Sequence, residues 1–159
     1  MPKPPSAGLL LHRVVDGERQ VLLGHMGGPF WARKDEGAWS IPKGEHEGEE
    51  SAEQAARREF VEELGMAVPE GALVPLGEVR QSGGKVVTAY ALEADLDLDG
   101  FDPGEFEMEW PPRSGRTQSF PEVDRVAWMP LERARATLVA GQRPLLDRLE
   151  ARLEAAPGE

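Results

Sequence analysis

Apolar and polar positions fall in blocks along the chain, and the blocks differ in period. Residues 7–15 form a nearly unbroken apolar run of the kind a buried strand needs, and residues 20–24 form a shorter one. Asp16-Gly17 between them is a turn signal, so the pair predicts a hairpin. Gly27-Gly28-Pro29 breaks the pattern, and residues 27–38 read as a loop. Residues 39–42 predict a short strand stopped by Pro42, which cannot donate to a ladder. A helix follows from Ser51 to about Leu64. Ser51 with Gln54 fits a capping box, and Gly65 stands where a left-handed C-terminal residue belongs. Residues 74–80 and 85–94 predict strands around Ser82-Gly83-Gly84, and residues 126–129 a further one. Residues 131–139 and 144–155 predict helices, with Pro144 suited to a first turn. Residues 95–120, rich in Asp, Pro, Gly and Arg, read as a long surface excursion. This order predicts a single α/β (α+β) domain over residues 7–155, a mixed sheet packed by helices, with residues 1–6 as a loose tail.

The length of 159 residues matches one domain. The formal charge of -11 disfavours binding to a nucleic acid polymer, which needs a surplus of Lys and Arg, but leaves room for a local basic pocket. Without cysteine there is no disulfide framework, thiolate metal site or cysteine nucleophile. No apolar run approaches the ~18 residues of a membrane span, and the Pro-rich start lacks the apolar core of a signal peptide. A cytoplasmic protein without membrane association is the expectation.

The informative chemistry lies on the helix beginning at Ser51. On a wheel of ~100° per residue, Glu59, Glu62 and Glu63 fall within an arc of roughly 100°, while Phe60, Val61 and Leu64 point toward a core. Like charges at i,i+3 and i,i+4 destabilise a helix, and carboxylates in a last turn oppose the helix dipole. Two penalties in one turn suggest a compensating cation. A carboxylate cluster without His or Cys suits a hard ion, Mg²⁺ or Mn²⁺. Arg58, beside Glu59 and four residues before Glu62, can orient a carboxylate. A solvated acidic face is the alternative.

The spacing extends further. Gly44, five residues, Glu50, seven residues, Arg58-Glu59-Phe60, one residue, Glu62-Glu63, one residue and Gly65-Met66 match the Nudix box, G-x5-E-x7-R-E-U-x-E-E-x-G-U, at every position. Seven fixed identities at average usage coincide by chance on the order of 10⁻⁸ per start position or less. The flank Trp39-Ser-Ile-Pro-Lys-Gly-Glu45 also resembles the strand that leads into the box. The chain is thus identified as resembling the Nudix hydrolase family. The resemblance implies an α/β/α sandwich and cleavage of a pyrophosphate linkage in a nucleoside diphosphate joined to a group X, with Mg²⁺ (or Mn²⁺). It implies metal binding by Glu59, Glu62, Glu63 and the Gly44 carbonyl, an orienting role for Arg58, and Glu59 as one choice of general base. Glu50 reads as structural or outer-shell. Glu122, six residues before Trp128, resembles the additional glutamate of many family members, with Glu105, Glu107 and Glu109 as rivals that share one face if residues 105–109 are a strand. A nucleoside triphosphate or dinucleoside polyphosphate ranks above a nucleotide sugar or ADP-ribose, and a non-catalytic nucleotide sensor is the rival from another class. A homodimer is compatible by family analogy alone.

For substrate contact the sequence offers Lys43 beside the box, Trp31 or Phe30 for base stacking, and Arg113 and Arg116 as phosphate or base clamps. Asp95-Leu-Asp-Leu-Asp99-Gly100 imitates a calcium loop, but the position that needs Glu is Phe106. His12, His25 and His46 lack ligand spacing and read as core or surface residues.

Overall fold

The computed structural model describes residues 4–155. The apolar run at the start becomes β1 (Ser6–Val15), and after the Asp16-Gly17 turn the chain returns as β2 (Glu18–Met26). The two strands pair antiparallel only from His12↔Val21 to Val15↔Glu18, and then part. The gap between them is filled by residues 39–45. β3 (Trp39–Ser40) pairs with β2, and β4 (Lys43–Glu45) pairs with the first residues of β1. Pro42 stops the ladder, as its missing N–H requires, and its carbonyl accepts a hydrogen bond from the Leu9 N–H at 3.1 Å.

The other edge of β1 carries β6 (Val86–Glu93) in parallel, and β5 (Val74–Arg80) pairs antiparallel with β6. On the far side of β2 lies β9 (Val123–Pro130). The result is a mixed seven-stranded sheet. Its central strand is apolar on both faces because both are covered. Leu9 and Leu11 face α1 (Ala52–Leu64) with Ala55, Ala56, Phe60 and Leu64. Leu10 faces the opposite layer, where α2 (Leu131–Thr137) and α3 (Pro144–Ala155) supply Ala134, Leu145, Leu146 and Leu149. This is the α/β/α sandwich expected.

α1 begins and ends as its sequence dictates. Ser51 Oγ accepts from the Gln54 N–H, the Gln54 side chain accepts from the Ser51 N–H, and Gly65 closes the helix at φ 67°. Three expectations need correction. Val61 is not a core residue: it is 45% exposed, because the face turned to the sheet is already filled by Phe60 and Leu64. The first strand opens at Ser6, which is fully buried, so the expected tail is shorter; residues 1–3 lie outside the described residues. The segment 95–120 is not an unstructured excursion, since it folds into a separate two-stranded hairpin of β7 (Glu105–Glu109) and β8 (Thr117–Pro121). Its inward residues, Phe106 and Met108, alternate with glutamates, a period-2 pattern hidden in a polar composition.

Candidate active site

The wedge at residues 39–45 and the turn that follows bring the chain back against the last turns of α1. There a cleft of about 460 Å³ is lined by Lys43, Gly44, Glu59, Glu63, Lys85, Phe106 and Glu122, with residues 45–47 at its edge. Glu63 points inward, and its Oε1 accepts the Lys43 N–H at 3.1 Å. Burial pushes the Glu63 carboxyl up to about 8; Glu122 and Glu59 push the same way, and the Lys43 charge and N–H oppose them. Glu59 and Glu122 are likewise raised, first by burial and then, among their other neighbours, by carboxylates. The Lys43 ammonium is lowered by burial and by Lys85, against the pull of the glutamates. Three carboxylates of raised proton affinity, two of which press on Glu63, stand with two lysines in one site.

Arg58 organises the frame. Its Nε–H and one Nη2–H donate to Glu50 at 2.7 and 2.9 Å, the other Nη2–H to the Glu45 carbonyl at 2.9 Å, and Nη1 to Glu59 at 2.9 Å and Glu62 at 3.1 Å. All five guanidinium hydrogens are thereby used. The fork with Arg58, helped by the Glu47 N–H, holds the Glu50 carboxyl at about 2. Glu50 therefore fixes Arg58, as its outer-shell reading implied, and Arg58 fixes Glu59.

Glycine at position 44 leaves the Glu59 carboxylate its place. A Cβ at this position would lie inside the van der Waals shell of the Glu59 carboxylate. Glu122 is pinned by its own backbone: its N–H donates to the Gly104 carbonyl at 2.8 Å and its carbonyl accepts the Gly27 N–H at 3.0 Å. Gly104 in turn donates its N–H to the Glu62 carbonyl at 3.1 Å, which ties Glu122 to the last turn of α1. Its rivals Glu105, Glu107 and Glu109 all lie on the exposed face of β7, and the strand turns Phe106 to the cleft instead. Glu109 is occupied with the N–H groups of Arg113 and Gly115.

Not every expected residue reaches the cleft. Glu62 is half-exposed and bonds Arg58 at the rim, because the i,i+4 contact turns it along the helix. Arg113 and Arg116 are exposed at the far end of the β7–β8 hairpin and line no part of the cleft. Phe30 packs edge-on against Trp110. Trp31 lines a smaller hollow of about 200 Å³ that shares Lys43, Glu63 and Glu122 with the main cleft. Lys85 and Phe106 were not expected in the cleft from the sequence, and His46 was read as a core or surface residue. Lys85 comes from the turn before β6, and only the tertiary fold brings it here. His46 also borders the cleft, and its Nε2 is buried with no partner among the described residues. His25 is a core residue, as read from the sequence: its Nδ1 meets Asp124 at 2.9 Å and its Nε2 meets the Lys34 carbonyl at 2.6 Å.

The donors suit a hard divalent cation, since they are carboxylate and carbonyl oxygens with no thiol or imidazole required. Among the described residues no three acidic, His or Cys side chains converge at ligand distance, because Glu59 and Glu62 turn to Arg58 and Glu63 to Lys43. Among the same residues no helix is long and apolar enough to cross a membrane.

No curated protein matches the chain by sequence. Solved structures do match its fold. An Ap4A hydrolase from C. elegans, solved as a binary complex, superimposes with a TM-score of 0.67 at 22% identity, covering 95% of this chain and 99% of its own. The NUDIX domain of Shewanella oneidensis NrtR, complexed with ADP ribose, gives 0.64 at 20% identity, over 96% and 90%. A mutT/nudix family protein from Listeria innocua gives 0.64 at 19% identity, over 97% and 96%. The family model for the NUDIX domain matches residues 3–149, nearly the whole chain. With an unbroken box on the helix that lines the cleft, the chain belongs to the Nudix hydrolase family.

Proposed function

We propose that this protein is a divalent-metal-dependent pyrophosphohydrolase whose substrate is a nucleoside diphosphate joined to a further group, with a nucleoside triphosphate or dinucleoside polyphosphate as the leading choice. The observation that carries the reading is the meeting of Glu59, Glu63 and Glu122 with Lys43 and Lys85 in one cleft. Phosphoryl transfer asks a protein mainly for positioning and for neutralisation of charge, and this cleft supplies both signs within one wall.

Glu59, Glu63, Glu122 and the Gly44 carbonyl are the residues that would hold Mg²⁺ or Mn²⁺, with Glu62 adding charge from the rim. When bound, such an ion neutralises phosphate oxygens and lowers the pKa of a water molecule. The chain's own residues do the rest. Lys43 and Lys85 face the phosphates and draw them into the cleft. Arg58 donates to Glu59, which favours its ionised form against burial and holds it in place. Glu122, in the wall of the cleft and raised in proton affinity by burial, is suited to accept a proton from the attacking water. Phe106 keeps one side of the cleft apolar.

The fold neighbours named for Ap4A hydrolysis and for ADP-ribose binding keep both ligand types in the test. Purified protein would be incubated with nucleoside triphosphates, diadenosine polyphosphates, ADP-ribose, nicotinamide dinucleotides and nucleotide sugars, with and without Mg²⁺, and products separated by chromatography. Metal-dependent cleavage of triphosphates or dinucleoside polyphosphates is expected. Cleavage confined to ADP-ribose or nucleotide sugars would move the substrate assignment. Binding without cleavage would point to a sensor.

A further inference from the structure

Beyond the Trp31 hollow lies a second one of about 260 Å³, which shares Met26 and Trp31 with it and adds Gln81 and Ser82. The Trp31 hollow shares Lys43, Glu63 and Glu122 with the phosphate-facing cleft, so it lies between that cleft and the far hollow. The chemistry of the far hollow is set by a buried chain of hydrogen bonds whose polarity has a single solution. The Ile41 backbone N–H can only donate, and it donates to Gln142 Oε1 at 2.9 Å. Gln142 must therefore present its amide nitrogen on the other side, where Nε2 meets Ser40 Oγ and Gln81 Oε1, each at 2.9 Å. Ser40 is free to accept this bond because its own hydroxyl donates to the Ile41 carbonyl at 2.7 Å. Gln142 is fully buried, so the arrangement is not open to exchange with water.

The consequence falls on Gln81. Its carbonyl oxygen is committed to Gln142, and its amide nitrogen has no partner among the described residues. Gly141 presses on it from behind: a Cβ at position 141 would come within 2.8 Å of Gln81 Cα and 3.1 Å of Cγ. Gln81 is thus held by a hydrogen bond through its oxygen and by the close approach of Gly141, which leaves its amide N–H donors for the hollow it lines. Trp31, in the same wall, offers an aromatic surface on which a base can stack.

We infer that this hollow takes the nucleobase, and that Gln81 selects bases carrying a ring carbonyl over their amino counterparts. The inference rests on the nucleotide reading above. A 6-oxopurine presents O6 and N7 as adjacent acceptors, whereas a 6-aminopurine turns an N–H donor toward the same place. A donor facing a donor leaves both unpaired on desolvation, and such mismatches discriminate strongly. The same holds for a 4-oxopyrimidine against a 4-aminopyrimidine. Gln81 is a specificity residue here; Gln142 and Gly141 position it.

The test uses two matched pairs, ITP with ATP and UTP with CTP. The kcat/KM ratio within each pair is measured for the intact protein, for Gln81→Leu and for Gln81→Glu. Equilibrium binding of the same four nucleotides in EDTA gives a readout independent of turnover. The expected result is an oxo-over-amino preference of at least about tenfold in the intact protein. It should collapse toward unity in Gln81→Leu. It should reverse in Gln81→Glu, whose second oxygen accepts where the amide donated. Equal use of both members of each pair would overturn the inference and leave the hydrolase reading standing, as would a preference that Gln81→Glu leaves unchanged. Neither turnover nor binding of any of the four would overturn the inference and the choice of triphosphates as substrate, while turnover elsewhere in the wider panel would keep the hydrolase reading.

Discussion

Replacing Gly44 by Ala separates the geometry of the site from the stability of the fold. The added methyl would occupy the place of the Glu59 carboxylate, and that carboxylate must retreat by more than about 1 Å to restore an ordinary 3.4 Å contact. Two features keep the structural cost low. Gly44 does not have a positive φ, so alanine brings no backbone strain, and the displaced group is the end of a flexible side chain. The functional cost is high, because a ~1 Å misplacement of a positioned group is worth about 10²-fold in rate. The displacement also pulls Glu59 from Arg58 Nη1, now 2.9 Å away. The expected outcome is a fall in kcat/KM of about 10²-fold with a melting temperature within a few degrees of the parent. The assay is chromatographic product release on the best substrate of the panel, paired with thermal unfolding. Full activity in Gly44→Ala would refute the placement of Glu59 as a reacting-site ligand. A loss of activity that merely tracks a loss of folded protein would refute the argument that the two are separable.

Other outcomes follow from the same geometry. Arg58→Lys keeps the charge but not the five-donor fork, so activity should fall about 10- to 100-fold, the range expected when a ligand's supporting partner is lost; steady-state kinetics reads it, and wild-type rates would count against the frame. Glu122→Gln should lower kcat by about 10²-fold or more, whereas Glu107→Gln, on the exposed face of β7, should leave it within about twofold of the parent, the limit of a remote surface change; equal effects would contradict the assignment. His12 is lowered by burial, reinforced by Arg19 and opposed by Glu93. Its folded pKa lies below its unfolded one, so the unfolded state takes up the proton first and this residue's contribution to stability falls as pH drops through the ordinary value of 6.5. Denaturant melts between pH 8 and 5 should therefore be less acid-sensitive in His12→Gln, and an identical pH profile would refute this.

Much of this was legible in the chain. The capping box at Ser51 and the glycine at 65 bounded α1 from local chemistry alone, and the box placed Glu59, Glu63 and Gly44 beside one another because their spacing is a helix and a preceding turn. Glu122 was marked by family resemblance, and the fold brings it to the cleft with its backbone pinned between Gly27 and Gly104. What sequence reasoning missed has a common origin in contacts between distant segments. Val61 shares the apolar spacing of α1, yet Phe60 and Leu64 already fill the face turned to the sheet. Residues 105–109 were weighed as a strand only conditionally, and the hairpin with residues 117–121 went unread because its outer face is as charged as a loop. Lys85 and Gln81 flank the Ser82-Gly83-Gly84 turn, far from the box in sequence. No periodicity could connect them to it; Gln81 acquires its polarity from Gln142, 61 residues away.

The central claim is that the carboxylates of this cleft hold the ion on which nucleotide hydrolysis depends. It is tested most directly by following product release from the best substrate across Mg²⁺ concentrations, from EDTA to saturation, for the intact protein and for the Glu59→Gln, Glu63→Gln double variant. The account predicts no turnover without the ion, a saturable rise with it in the intact protein, and a response in the variant that is both weaker in maximum and shifted to higher Mg²⁺. Turnover that survives EDTA, or a variant whose Mg²⁺ response overlays that of the parent, would contradict it.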